Sequence, residues 1–290
     1  MRKVEALIIG KGPAGVQAAI YLKRGGVDPI VIGKDIGASE MAHKIDNFYG
    51  FPGVSGINLI QQGIEHALAL DIEVLEDEVT SISYEDGFIV ESTSGTFHAQ
   101  TVLMATGAHR NIPRIRRIRN YEGKGISYCA VCDAFFFKGK HLAVLGAGKY
   151  AESEIKVLEA ISDHVMLLTD GQELEGEFPS GIKIITDRLK AVYGDEHLEG
   201  IEFRDGSKLE LDGLFVAVGT ASSSDLAQKL GVQVEGNKVV VDQKMMSNIP
   251  GLFAAGDCVP GVQQIAKAVG DGCVAGMSMV DYLRDKKRGK

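Results

Sequence analysis

Four cysteines in 290 residues are too few for a disulfide scaffold, which sets the first boundary on what this chain does. In such a chain a close cysteine pair points to catalysis or metal binding rather than cross-linking. Long apolar runs are also missing: none approaches the roughly 18 residues of a membrane span. Met1-Arg2-Lys3-Val4-Glu5 leads directly into a short strand, without the apolar core of a signal peptide, so a cytoplasmic protein with no membrane association is expected. A basic excess is absent as well. The net charge of -8 argues against general nucleic-acid binding. His43, His98, His109, His141 and His164 show no ligand spacing, and Cys258 and Cys273 form no second close pair, so no metal site is expected. Those two cysteines read as small buried residues.

Glycine is what the chain has in quantity, 36 residues, as recurring tight turns require. The length fits two domains, and 45% hydrophobic with 24% charged residues describes a globular protein. Val4 to Ile9 reads as a buried strand and Gly10-Lys11-Gly12-Pro13-Ala14-Gly15 as a turn. A helix follows to Arg24, packing through Val16, Ala19, Ile20 and Leu22. Pro29 to Gly33 completes a βαβ unit. In such a unit the first glycine allows the tight turn, the second admits a pyrophosphate to backbone N–H groups, and the third lets helix and strand pack. The acid expected at the end of the second strand is displaced: Gly33 and Lys34 hold its usual place and Asp35 follows.

A second unit begins with a strand at His141 to Leu145, then the turn Gly146-Ala147-Gly148-Lys149-Tyr150-Ala151, a helix over Glu152 to Ile161 and a strand over His164 to Thr169. Between the two units, Glu73 to Val79, Ser81 to Tyr84 and Phe88 to Ser92 alternate like antiparallel strands. Thr101 to Ala105 reads as a buried strand ending in Thr106-Gly107. Leu252-Phe253-Ala254-Ala255-Gly256-Asp257 leads into a long helix from about Gln263 to Tyr282, whose Gly270, Gly272 and Gly276 allow a close neighbour or a dimer partner. The pattern predicts an α/β protein of two Rossmann-like, three-layer ββα dinucleotide-binding domains, the second inserted into the first. The expected division is residues 1–112 with 245–290, and residues 113–244.

Cys129-Ala130-Val131-Cys132, with Asp133 directly behind, stands just upstream of the second glycine turn. Two thiols at this spacing let one sulfur attack a disulfide formed with the other, and beside a bound dinucleotide they make a two-electron relay. Arg110, Arg114, Arg116, Arg117 and Arg119 precede them. That run reads either as a solvated connector or as a docking patch for an acidic protein.

Gly10-x-Gly12-Pro13-Ala14-Gly15, Ala105-Thr106-Gly107, Cys129-x-x-Cys132-Asp133 and Phe253-Ala254-Ala255-Gly256-Asp257 occur in the order found in low-molecular-weight thioredoxin reductases, which the chain resembles over essentially its whole length. The resemblance implies a homodimer with a discontinuous FAD domain and an inserted pyridine-nucleotide domain carrying the dithiol. FAD would be held by Gly10, Gly12, Pro13, Ala14, Gly15, Asp35, Ala105, Thr106, Gly107, Gly256, Asp257, Gln264 and Ile265. The carboxylate of Asp257 would bind the ribityl or pyrophosphate region. By the same analogy Cys132 faces the flavin and Cys129 attacks thioredoxin. Asp133 would be the proton donor, shielded by the Phe135-Phe136-Phe137 run.

The chain departs from this family in the inserted domain. Members that use NADPH carry a His-Arg-Arg-x-x-x-Arg run for the 2′-phosphate. Here Leu168-Thr169-Asp170-Gly171-Gln172-Glu173-Leu174-Glu175 has no arginine and three carboxylates, which would repel that phosphate. Tyr150 would also crowd a pyrophosphate. Two donors remain open. Asp170 stands about where an acid would hold the ribose of NADH. The chain also looks like the ferredoxin-dependent flavin thioredoxin reductases, whose acidic donor would suit the arginine run. An NADH-dependent, or less favoured NADPH-dependent, reductase of thioredoxin or peroxiredoxin is the alternative enzyme, and a non-catalytic flavin redox sensor the alternative of another class.

Overall fold

Burial dictates where the first strand lies. In the computed structural model, β1 (Arg2–Ile9) runs from exposed Arg2 to a buried Ala6-Leu7-Ile8-Ile9 end. A strand apolar on both faces belongs inside a parallel sheet. The structure describes residues 1–107, 113–128, 130–219 and 223–289, leaving aside the side chains of Ala38, Met41, Val131, Cys132, Ser223 and Ser224. Helix α1 (Pro13–Arg24) follows the first glycine turn. Pro13 at its first position costs no hydrogen bond, and Lys23 and Arg24 in its last turn suit the negative end of the helix dipole. Next come β2 (Pro29–Ile32), the amphipathic helix α2 (Gly56–Ala69) capped by the Ser55 hydroxyl, β3 (Glu73–Leu75), β4 (Val79–Tyr84), β5 (Phe88–Ser92) and β6 (Gly95–Met104).

The chain then forms β7 (Ile126–Ser127), a single helical turn α3 (Ala130–Asp133), β8 (Leu142–Leu145), α4 (Lys149–Glu159), β9 (Val165–Leu168) and β10 (Lys183–Ile185). An antiparallel ribbon, β11 (Leu189–Tyr193), β12 (Gly200–Phe203) and β13 (Lys208–Glu210), precedes β14 (Gly213–Val216). The last elements are α5 (Ser223–Lys229), the short pair β15 (Val234–Glu235) and β16 (Lys238–Val239), β17 (Leu252–Ala254) and α6 (Ile265–Lys287).

Two sheets carry the architecture. The first has the order β3-β2-β1-β6-β5-β4, with β17 also paired to β6; the second, all parallel, has the order β10-β9-β8-β14-β7. Each matches the expected Rossmann-like α/β class. The chain separates into two compact units, Met1–Arg110 with Ser222–Lys290, and Asn111–Ala221. The return crossing therefore falls earlier than the 244/245 position expected from sequence. Residues 223–244 group with the first unit, where α5 packs on β4 and β16 packs beside the Gly256–Cys258 turn.

One local expectation changes and another is narrowed. Glu73 to Val79 is not one antiparallel strand: Glu73–Leu75 pairs parallel with β2 at the sheet edge, and only the stretch from Val79 pairs antiparallel with β5. The glycines of α6 serve mainly within the chain. A Cβ on Gly272 would lie 2.2 Å from the Ala14 carbonyl oxygen and one on Gly276 2.7 Å from that of Ala18, so both let α6 approach the α1 backbone, whereas Gly270 faces open space.

Candidate active site

In the first unit the parallel register brings three sequence motifs to one sheet edge. Ile9 pairs with Met104 and Met104 with Ala254, so β1, β6 and β17 end level. Gly10–Gly15, Ala105–Gly107 and Gly256–Asp257 follow those ends, the place where open α/β sheets bind ligands. The turns lock together. Ala105 N–H donates to Ile9 O at 2.8 Å and Ala255 N–H to Met104 O at 3.0 Å. A Cβ on Gly10 would stand 2.2 Å from Ala105 O, and one on Gly15 1.9 Å from Gly10 O. Gly12 has nothing within 4 Å of that position, so the middle of the turn faces open space.

Asp257 carries the second sign of a ligand. Its Oδ1 is buried with no hydrogen-bond partner among the described residues, a costly state that a ligand hydroxyl would relieve. The surrounding backbone is held by residues that sequence reasoning did not single out. Lys267 donates to Gly256 O at 2.8 Å and pairs with Asp271 at 2.7 Å, while Asp271 accepts the Gly256 N–H at 3.1 Å. Lys238 donates to Asp257 O. The i,i+4 spacing of Lys267 and Asp271 was visible in the sequence, but Lys238 carries no such signal.

Gln264 precedes the first turn of α6 at Ile265 and gives no side-chain cap. Its Oε1 instead accepts the Asn47 amide at 3.0 Å. Asp35 is exposed beyond β2 and accepts the Gly37 N–H at 2.8 Å. An open glycine cradle, an orphaned buried carboxylate oxygen and an uncapped helix start together fit a dinucleotide such as FAD.

In the second unit the glycine turn leads from β8 into α4 but lies against its own chain. Ala147 O accepts the N–H groups of Glu175 at 2.9 Å and Gly176 at 3.3 Å. Glu152, in the first turn of α4, accepts the Glu177 N–H at 2.9 Å and pairs with Lys149 at 3.1 Å and Lys156 at 2.8 Å. Burial alone would raise the Glu152 pKa. The hydrogen bonds from Lys156, the Glu177 N–H and Lys149 outweigh it and hold the carboxyl below its ordinary value. Asp170, the candidate ribose ligand, accepts the Leu189 N–H at 2.6 Å. Tyr150 does not crowd the turn as expected: it is 2% exposed and its hydroxyl donates inward to Tyr128 O at 2.8 Å.

Cys129 and the side chain of Cys132 lie outside the described residues, as does Arg110; the backbone of Cys132 belongs to α3. Asp133 is half-buried and accepts the Ser127 hydroxyl at 2.7 Å. The apolar shield expected around it is not formed by Phe135 and Phe136, which are 80% and 72% exposed and meet edge to face at 6.1 Å. They present an aromatic surface just past the dithiol instead. Arg114, Arg116 and Arg119 are also exposed. Arg117, with left-handed backbone at φ 65°, is partly spent: it stacks on Tyr121 and donates to the Tyr121 hydroxyl and to Gly194 O. The segment is held in place where Arg116 bridges to Ala191 of β11.

A glycine turn at the strand ends of each sheet, with a Cys-x-x-Cys-Asp sequence on the second unit, has the pattern of a two-unit dinucleotide-binding disulfide oxidoreductase. The sequence comparisons agree. Residues 4–272 match the family model for pyridine nucleotide-disulphide oxidoreductases. The chain is 30% identical over 305 residues to a thioredoxin reductase of Aquifex aeolicus (strain VF5), covering 98% of this chain and 94% of that protein. Among solved structures it is similar to the atypical thioredoxin reductase TRi from Desulfovibrio vulgaris Hildenborough, with 35% identity, a TM-score of 0.89, and 98% and 99% of the two chains covered. A ferredoxin-flavin thioredoxin reductase from Clostridium acetobutylicum follows at 32% identity, TM-score 0.73, and 98% and 99% coverage. The chain belongs to the pyridine nucleotide-disulphide oxidoreductase family and, within it, to the thioredoxin reductases, which are FAD flavoproteins. No described helix is long and apolar enough to cross a membrane.

Proposed function

We propose that this chain reduces thioredoxin through FAD and the Cys129–Cys132 dithiol, with ferredoxin as the electron donor. The observation that carries the donor reading is the state of the second glycine turn. Residues 175–177 lie against that turn: their N–H groups bond the Ala147 carbonyl and the Glu152 carboxylate, and the Glu175 carboxylate stands 4.0 Å from where a Gly148 Cβ would be, placed to repel a phosphate. Asp170 already commits Oδ1 to the Leu189 N–H, which counts against the NADH alternative. The missing arginines and the three carboxylates of 168–175 disfavour NADPH. Exposed Arg114, Arg116 and Arg119 offer an acidic iron–sulfur protein a docking patch, and exposed Phe135 and Phe136 offer thioredoxin an apolar one.

Gly12, the backbone around Gly256 and the Asp257 carboxylate would hold FAD. When bound, that cofactor supplies the exchange between single electrons and electron pairs. The chain's own residues do the sulfur chemistry. The Cys129 thiolate attacks the thioredoxin disulfide; a new S–S bond forms, and the displaced thioredoxin sulfur leaves with the electron pair and takes a proton, Asp133 being the nearby acid. Cys132 then attacks the Cys129 sulfur, releasing the second thioredoxin thiol and restoring the Cys129–Cys132 disulfide. A plant-type ferredoxin near -400 mV driving a thioredoxin near -270 mV releases ~6 kcal/mol per electron pair. A homodimer working in the cytoplasm completes the proposal.

The test is anaerobic. Flavin absorbance is followed after adding NADPH, NADH and reduced ferredoxin in turn. Bleaching by ferredoxin alone, followed by thioredoxin reduction, is expected. Fast bleaching by NADH would make Asp170 a ribose ligand and sink the ferredoxin reading.

A further inference from the structure

Helix α4 follows a nucleotide-type turn, yet two side chains of its inner face reach the dithiol segment. The Tyr150 hydroxyl donates to Tyr128 O at 2.8 Å, and Glu154 Oε2 accepts the Ala130 N–H at 2.6 Å. Those two groups belong to the peptide bonds on either side of Cys129. Both side chains are buried, Tyr150 at 2% and Glu154 at 1% exposure, so water does not compete for either bond. A glutamate buried this deeply carries a large desolvation cost, and in a merely structural helix an apolar residue would pack at less expense.

We infer that Tyr150 and Glu154 are positioning residues for the redox dithiol, one fixing the backbone before Cys129 and the other the backbone after it. Helix α4 thus aims the dithiol rather than reading a nucleotide.

The inference rests on reading Cys129 and Cys132 as the working pair, and the experiment separates the two. The full-length flavoprotein is equilibrated with dithiothreitol redox buffers, in which two electrons and two protons pass from dithiothreitol to the disulfide, and the oxidised fraction is read by thiol labelling and mass spectrometry. No ferredoxin, nicotinamide or thioredoxin enters this equilibrium; the turnover measurements use whichever donor bleaches the flavin. If the parent shows no disulfide between Cys129 and Cys132, the underlying reading fails. If it does, Glu154→Leu, which fills the same buried space but cannot accept the Ala130 N–H, is expected to lower kcat for thioredoxin reduction severalfold with KM unchanged, and Glu154→Gln, which keeps an acceptor, to restore it. Tyr150→Phe keeps the ring and loses only the hydroxyl. It is expected to lower kcat for thioredoxin reduction severalfold with KM unchanged, while flavin content and thermal midpoint stay at parental values. A parental kcat in Glu154→Leu overturns the role of Glu154, and a parental kcat in Tyr150→Phe overturns that of Tyr150.

Discussion

Three single-methyl changes in the first glycine turn should separate folding from cofactor binding. In Gly15→Ala the new Cβ would stand 1.9 Å from Gly10 O, and in Gly10→Ala 2.2 Å from Ala105 O with the backbone at φ 118°. Neither neighbour is a flexible side-chain end, so the strands must shift. Overpacking of this kind costs about 1–3 kcal/mol or more, to which the unfavourable φ of Gly10 adds about 1. At roughly 2–4 °C per kcal/mol for a domain of this size, the thermal midpoint of the apoprotein should fall by about 5–10 °C in both variants. Gly12→Ala differs. Its backbone, φ -78° and ψ -175°, suits alanine, and nothing lies within 4 Å of the new carbon. The apo midpoint should stay within about 2 °C of the parent. On the proposed binding mode the methyl would instead occupy the space of the cofactor phosphates. Losing one or two charge-assisted hydrogen bonds worth about 1.5–3 kcal/mol should weaken FAD binding roughly 10- to 100-fold. Calorimetry of the apoproteins and flavin fluorescence titrations measure the two effects. A Gly12→Ala apoprotein as destabilised as Gly15→Ala, or one that binds FAD as tightly as the parent, would refute the reasoning.

Further expectations address the sulfur chemistry, the docking patch and acid stability. Cys132→Ser should accumulate a mixed disulfide with thioredoxin, because the resolving thiol is gone, whereas Cys129→Ser should not; non-reducing electrophoresis decides, and the opposite pattern reverses the assignment. Arg114→Glu combined with Arg119→Glu should slow ferredoxin-driven turnover about tenfold at low salt, with the gap closing as the Debye length shrinks. Equal salt dependence in parent and variant would remove the patch from the docking surface. Burial raises the Asp77 pKa, but hydrogen bonds from Ser92, Ser94, Thr93 and the Glu78 N–H outweigh it and hold the carboxyl below its ordinary value, as Glu152 is held low by its own partners. A depressed folded pKa gives stability that is present above the unfolded value, near 4, and is lost as pH falls through the folded value. Thermal midpoints should therefore drop steeply below about pH 4, and Asp77→Asn should flatten that slope. A slope unchanged by the substitution contradicts the assignment.

Much of the site was legible because it is made of short-range constraints. Gly10, Gly12 and Gly15 announce a turn that admits a phosphate, and Cys129 and Cys132 announce a redox pair, since spacing along the chain sets those geometries. Other features left no periodic mark. Helix α2 is the exception: Ile57, Ile60, Ile64 and Ala67 repeat at helical spacing, while Gly56 and Gly63 weigh against a helix on local propensity. Glu73–Leu75 read as antiparallel because alternation shows that a strand is half-buried but not which neighbour it joins.

The sequence by itself determined two nucleotide-type turns, a dithiol with an acid behind it, and the loss of the arginines that would hold a 2′-phosphate. Local turn sterics and charge need no partner from elsewhere in the chain. Only the tertiary structure decided what surrounds each turn. The same kind of glycine turn stands open at Gly12, where a buried Asp257 oxygen waits unpaired, and is taken up at Ala147 by the N–H groups of residues 175 and 176. That difference depends on which backbone groups the folded chain brings within hydrogen-bond reach. The direction of Tyr150, inward to the dithiol segment rather than outward to a ligand, was settled by the same three-dimensional competition for hydrogen bonds.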